Sequence, residues 1–383
     1  MIMNMYGGGS SEEDYARLPE DLLAEMLSVA TDVAQTVENL LGPALEMRDQ
    51  LREAALDLGL IEFWQGGRPL TLAAVDGGFA IERTVAVDIA LSVAVGVEGF
   101  APEGRGWEWD DNQHSFAQHV LVHDGHNERL ARAGMVIQEL DVIADTPHEL
   151  RIFDGSHLTP VIQLNSALAS RSSDVRSRVL DLANQHSLLD AFAAFTSEAK
   201  IVAMPKYNSS RIICEALAGE VGKPVPGDDR YLTSLILEGG EYTVPERVPA
   251  DPWRQLHIKH HNDATHEERA LANQLHEALY PLQSRELYVI YFRPTDKSTA
   301  YRVEVKPGCA TDSDRVNDLL ASIAFQLTTP FVQEPYPQYL ADVMAKSVGL
   351  GIKALQSAAQ MYLARQSPQL AQSVVHSYRT EGK

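Results

Sequence analysis

Apolar residues along the chain switch between two periods, and the switches mark out its elements. Leu18, Leu22, Met26, Val29, Val33, Val37, Leu40 and Leu41 recur at three- and four-residue intervals, the spacing that lines one face of a helix. One or two amphipathic helices are predicted between Glu12 and Leu60, suited to a dimer or docking arm. Leu72 to Val75 and Thr84 to Val97 read instead as strands, the first a short buried run and the second rich in β-branched residues. Helical spacing returns over Glu128 to Ala144. A strand at Leu150 to Phe153, a helical stretch from Val175 to Ala199 and an apolar run ending at Met204 follow. Alternation of this kind predicts an α/β fold, a mixed sheet flanked by helices.

Residues 219 to 281 are richer in Pro, Gly, His and charge and read as an insertion around a strand at Tyr231 to Leu237. Strands at Leu287 to Phe292 and Thr299 to Val305, joined by a Pro-containing turn, predict a hairpin. Helices are expected from Asp314 to Leu327 and from Tyr339 to Arg365. The expected organisation is a disordered lead (1–10), a helical arm (11–62), a core built from 70–218 and 282–366 around the insertion 219–281, and a tail (367–383).

Charge narrows the functional classes. Lys and Arg number 32 against 53 Asp and Glu, a formal charge of −21, and such a field repels polyanions at long range. A simple nucleic-acid binder is disfavoured. A nuclease is not, because phosphate contacts are local and bound divalent cations reverse the potential where they sit. Cys214 and Cys309 lack companions at metal-ligand spacing. The N-terminus has no cationic segment leading into an apolar one, and Val85 to Val97, the longest apolar stretch, carries Asp88 and is too short to cross a bilayer. A cytoplasmic protein without membrane contact is expected. There is no GxxxxGK[ST], no GxGxxG after a strand and no GxSxG, so nucleotide binding by those loops and a hydrolase serine are not indicated.

Two strands end alike, in LAAVDGGF (Leu72–Phe79) and LRIFDGS (Leu150–Ser156). An Asp-Gly pair is in the first place a turn signal. Both carboxylates, however, follow strands apolar on both faces, where an unpaired anion is costly. A hard divalent cation shared by such acids removes that cost, and oxygen-only ligation suits Mg²⁺ or Mn²⁺. Gly77 and Gly155 would let backbone and substrate phosphate approach closely.

TLAAVDGGFAIERTVAVDIALSVAVGVEG resembles the opening motif of the NurA nucleases, and the resemblance continues in patches from Leu72 to Lys346. It implies an RNase H-like fold, manganese-dependent (or magnesium-dependent) cleavage of DNA, a homodimer, and partnership with the hexameric ATPase HerA in DNA end resection or phage defence. Position by position, it makes Asp76 and Asp154 metal-binding aspartates. Glu139 in MVIQELDVIAD becomes the helical glutamate, with Asp141 as the substitute. Lys206 in IVAMPKYNSSR becomes the lysine after the next strand, and Arg211 in the same segment a further contact to nucleic acid. EPYPQYLADVMAKS departs from the family pattern, with Glu334 at a tyrosine position and Asp342 at a histidine position. Asp342 keeps the capacity to hold a cation but donates no proton at neutral pH. Arg302 and Glu304 in YRVEV match an Arg-x-Glu read as structural pairing.

Two histidine-rich stretches (His114, His119, His123, His126 and His257, His260, His261, His266) lack HExxH spacing and read as surface or core histidines. Arg171, Arg176 and Arg178 stand where they would follow a DNA backbone or a solvated helix face. Altered C-terminal residues leave a second reading, a non-catalytic dimeric adaptor that docks on the ATPase, and two-metal chemistry leaves a third, a structure-selective RNase.

Overall fold

The computed structural model describes residues 19–207, 209–248, 257–285, 287–328 and 332–374. The lead at 1–10 and residues 375–383 of the tail lie outside the described residues. Three helices come first, α1 (Glu20–Ser28), α2 (Ala30–Glu46) and α3 (Arg48–Asp57). The periodic stripe read from the sequence faces outward: Leu22, Met26, Val33, Val37 and Leu40 are 41–62% exposed, and α2 buries only Ala44. In contrast, α3 sinks Leu51, Ala54 and Ala55 into a core with α8 (Ile212–Val221) and α9 (Asp229–Ile236).

The strands are β1 (Ile61–Phe63), β2 (Leu72–Arg83), β3 (Asp88–Glu98), β4 (Gln113–Leu121), β5 (Leu150–Phe153), β6 (Ile201–Ala203), β7 (Glu241–Thr243), β8 (Glu246–Arg247), β9 (Tyr288–Arg293) and β10 (Tyr301–Val305). They form one mixed sheet in the order β1-β7-β9-β10-β6-β5-β2-β3-β4, with β8 against β9. Strands β2, β5 and β6 run parallel, and the other pairs are antiparallel. Side chains alternate between faces with the strand period of two. Val75 and Phe153 join a core with α4 (Asn127–Asp145), α5 (Leu158–Leu168), α6 (Ser173–Gln185) and α7 (Leu188–Ser197). Leu72, Ala74, Leu150 and Ile152 join the opposite core, closed by the Ser313–Phe325 helix.

Several expectations change. The DG of LAAVDGGF is no turn, because β2 continues through it to Arg83, paired at every step with β3 (Asp76↔Val95, Gly77↔Ala94, Gly78↔Val93). The hairpin turn lies later, where the Thr84 N–H and hydroxyl both donate to the Val87 carbonyl. Tyr231 to Leu237, expected as a strand, is helix α9 as far as Ile236, with Leu237 at its C-cap. Asp228 caps it by accepting from the Tyr231 N–H at 2.8 Å, and Leu232 and Ile236 fall on one buried face. The stretch 175–199 is two helices broken at Ser187, whose φ of 46° lies in the left-handed region. The last helical stretch also divides, into Tyr336–Lys346 and Val348–Gln366.

Candidate metal centre

Strand register assembles the site. The parallel ladder of β2 and β5 ends at Val75↔Phe153, and the Asp154 N–H donates to the Val75 carbonyl at 3.0 Å. Asp76 and Asp154 are therefore the next residues of adjacent parallel strands. Asp342 comes from the Tyr336–Lys346 helix, which crosses β2 at Gly78, where a Cβ would lie 2.3 Å from the Ala345 carbonyl oxygen. One oxygen from each of Asp76, Asp154 and Asp342 lies within 4.8 Å of the others.

Glu139 approaches from the other face of the sheet. It projects from α4 toward Gly77, where a Cβ would stand 2.5 Å from its Oε1 and 2.6 Å from Met135 Cγ, so any larger residue there would push the carboxylate or Met135 aside. Glu139 is 2% exposed and its Oε2 has no hydrogen-bond partner. Asp141 turns elsewhere, accepting from His186 Nδ1 at 2.7 Å.

Lys206 sits among the acids. Its ammonium is 2.8 Å from Asp154 Oδ2, 2.6 Å from Asp342 Oδ1 and 3.2 Å from Glu334 Oε2. Lys346 donates to the other Asp342 oxygen at 2.6 Å. Arg230 donates to the Lys206 carbonyl, and an open cleft of about 720 Å³ leads from Lys206 past Tyr207, Ser209 and Thr299. Gln338, which no sequence motif singled out, donates from Nε2 to Asp154 Oδ1 at 3.0 Å and to the Met204 carbonyl at 3.1 Å. Only its position one helical turn before Asp342 offered a signal.

The electrostatics follow from this crowding. Burial, then the neighbouring Asp154 charge, pushes Asp76 up to about 8. Burial, then Asp76 and Asp154, holds Glu139 well above the usual carboxylate range. Burial also raises Glu334 despite Lys206. For Asp342 burial pushes upward, but hydrogen bonds from Lys206 and Lys346 bring it below its ordinary value. Lys206 is raised, since Asp154, Asp342 and Glu334 outweigh its own burial. The carboxyl groups with no cation in contact lie on the Asp76 and Glu139 side. An all-oxygen donor set with an orphaned buried carboxylate oxygen fits a hard divalent cation.

A buried network fixes the turn after Asp154. Gly155, at φ 146°, reverses the backbone in a region other residues avoid. Glu304 on β10 accepts from the Ser156 hydroxyl (3.0 Å), the His157 N–H (2.9 Å), His157 Nδ1 (3.3 Å) and Arg302 Nη2 (2.9 Å). Lys306 donates to His157 Nε2 at 3.1 Å and to the Ile201 carbonyl at 2.7 Å. The imidazole is thus neutral with its proton on Nδ1, and burial, with Lys306 beside it, brings it down to about 4.

Other candidates lie outside this group. Arg211 donates to the carbonyls of Val225 and Gly227. Arg176 is buried against Glu268 at 2.9 Å, and Arg178 pairs with Asp174 at 3.0 Å on the same helix. His123 pairs with Asp88 at 2.7 Å. Among the described residues no histidine joins a group of three or more potential ligands. No described helix is long and apolar enough to cross a membrane.

No family model and no curated protein matches this sequence. Solved structures do. The NurA nuclease from Sulfolobus solfataricus aligns over 91% of this chain and 98% of its own, with a TM-score of 0.57 and 11% identity. The chain has the NurA fold. A NurA structure determined with manganese aligns over 85% of this chain and 98% of its own, with a TM-score of 0.50 and again 11% identity. The resemblance carried by LAAVDGGF in the sequence therefore extends to the fold of nearly the whole chain, while identity this low leaves the chemistry to be argued from the site.

Proposed function

We propose that this protein is a metal-dependent DNA nuclease. The observation that carries the reading is the meeting of Asp76, Asp154 and Asp342 within 4.8 Å of one another, beside Lys206, on a NurA-like fold. Asp76, Glu139, Asp154 and Asp342 are the residues to hold Mn²⁺ or Mg²⁺. A bound divalent cation supplies Lewis-acid stabilisation of phosphate charge and a water acidic enough to attack. Lys206, partly exposed and at the head of the cleft, positions the scissile phosphate. Gly77 admits Glu139 to the site and excludes the side chain that would block it. The formal charge of −21 makes the isolated chain a weak DNA binder, so capture falls to a partner. A HerA-type hexameric ATPase feeding DNA for end resection or phage defence fits that need. The exposed apolar stripe on α1 and α2 suits a homodimer arm.

Cleavage of labelled single- and double-stranded DNA with Mn²⁺, with and without the ATPase, tests the reading. Wild-type protein should cut and Asp76→Ala should not. Equal signal from both in every condition would leave the second reading, a non-catalytic adaptor. That reading is favoured by one feature, the engagement of Asp342 and Glu334 by Lys206. A parallel RNA substrate distinguishes a ribonuclease.

A further inference from the structure

We infer that Lys206 is a built-in substitute for a second cation, so that the centre takes a single divalent ion, on its Asp76 side. The inference rests on the nuclease reading above and assigns the site its stoichiometry. The acids divide into two groups around Asp154. On one side, Asp342 and Glu334 share the Lys206 ammonium, and Asp342 also receives Lys346. On the other, Asp76 receives only the N–H of its neighbour Gly77 within its own strand, at 2.8 Å, and Glu139 Oε2 receives nothing.

The ammonium occupies the volume a second ion needs. A divalent ion of this size bonds carboxylate oxygens at about 2.1 Å, and Lys206 Nζ already stands 2.6 Å from Asp342 Oδ1 and 2.8 Å from Asp154 Oδ2. An ion on those two oxygens would compete with the ammonium for them and repel its charge. The Asp76 side has no such occupant. Two buried polar atoms there and at its edge are orphaned, Glu139 Oε2 and Gln338 Oε1, and both residues are 2% exposed, whereas Glu334 Oε2 on the other side, though without a hydrogen bond, still stands 3.2 Å from the ammonium. Gln338 holds Asp154 Oδ1 from the flank. Asp342, named above among the residues to hold the cation, serves on this inference instead as a positioning residue for Lys206, and a carboxylate serves there where a neutral imidazole would leave the ammonium unbalanced.

Mn²⁺ titration of the full-length protein, read by the loss of the free-ion EPR signal and by calorimetry, counts the ions directly. Wild-type protein should bind one Mn²⁺ per chain. Lys206→Met, which keeps the stem and removes the charge, should bind two, and Lys206→Met with Asp342→Asn should return to one. Circular dichroism and thermal unfolding verify that each variant is folded; Lys206→Gln provides the same removal of charge if the methionine variant is not. Two ions in the wild type, or one in every folded Lys206 variant, overturns the inference and leaves the nuclease reading standing. No binding by wild type or variants, with Asp76→Ala indistinguishable from both, sinks the metal-dependent reading itself.

Discussion

Neutralising Glu304 tests whether the buried network behind Asp154 is as strongly coupled as its geometry indicates. Its carboxylate is 2% exposed and accepts from Ser156, His157 and Arg302. Burial alone would raise it, yet bonds from His157 and the charge of Arg302 hold it down at about 2, against an ordinary 4.5. That difference corresponds to roughly 3 kcal/mol favouring the ionised form in the folded protein. Removing one partner of a buried pair independently costs about 3–5 kcal/mol, because the other charge is stranded. Here it is Arg302, 6% exposed, with the Tyr291 hydroxyl as its remaining side-chain partner. Glu304→Gln should therefore lower stability by about 3 kcal/mol in urea unfolding at pH 7. Adding Arg302→Met should restore all but about 1 kcal/mol, since the glutamine oxygen still accepts from Ser156 and His157 and no charge is left alone. A loss under about 1 kcal/mol in the single variant, or additive losses in the double, would refute the reasoning.

Two other outcomes follow from the same geometry. His157 is neutral and buried with its value near 4, while the unfolded chain protonates near 6.5. Stability should be fully present above pH 6.5 and fall by up to about 3 kcal/mol as pH drops to 4. Melting temperatures across that window read the slope, and His157→Asn should flatten it; an unchanged slope contradicts the assignment. Gly78→Ala sets a Cβ 2.3 Å from the Ala345 carbonyl oxygen, so the Tyr336–Lys346 helix must move off β2. The expected cost is about 1–3 kcal/mol, with Asp342 displaced from Asp76 and tryptic cleavage at Lys346 accelerated. Wild-type stability and protection in that variant would show that the close approach is not required.

Apolar spacing and run length revealed the elements that the core covers. The mixed sheet, α4 with its buried Val136, Ile137 and Leu140, and the β9–β10 hairpin were legible because apolar residues recur there at helical spacing or in runs of strand length, β9 and β10 being buried on both faces. Helix α9 was not, since YLTSLIL is apolar and β-branched enough to pass for a strand, although Asp228 before it is of a type that caps helices. The DG of β2 looked like a turn because Gly usually means one. Its glycines instead answer long-range neighbours, Glu139 on one face and Ala345 on the other. Asp76 and Asp154 could be marked as chemistry from the sequence, but their adjacency comes from parallel register across 78 residues of chain. Gln338 offered only its place one turn before Asp342, and Lys306 and His157 carried no local signal, because their partners are distant in sequence.

Anomalous scattering from crystals soaked in Mn²⁺ tests the central claim most directly, since it locates ion and ligands together. The account predicts one strong peak in contact with the carboxylates of Asp76 and Asp154. An empty cluster at saturating Mn²⁺, with any manganese bound elsewhere on the molecule, would contradict it.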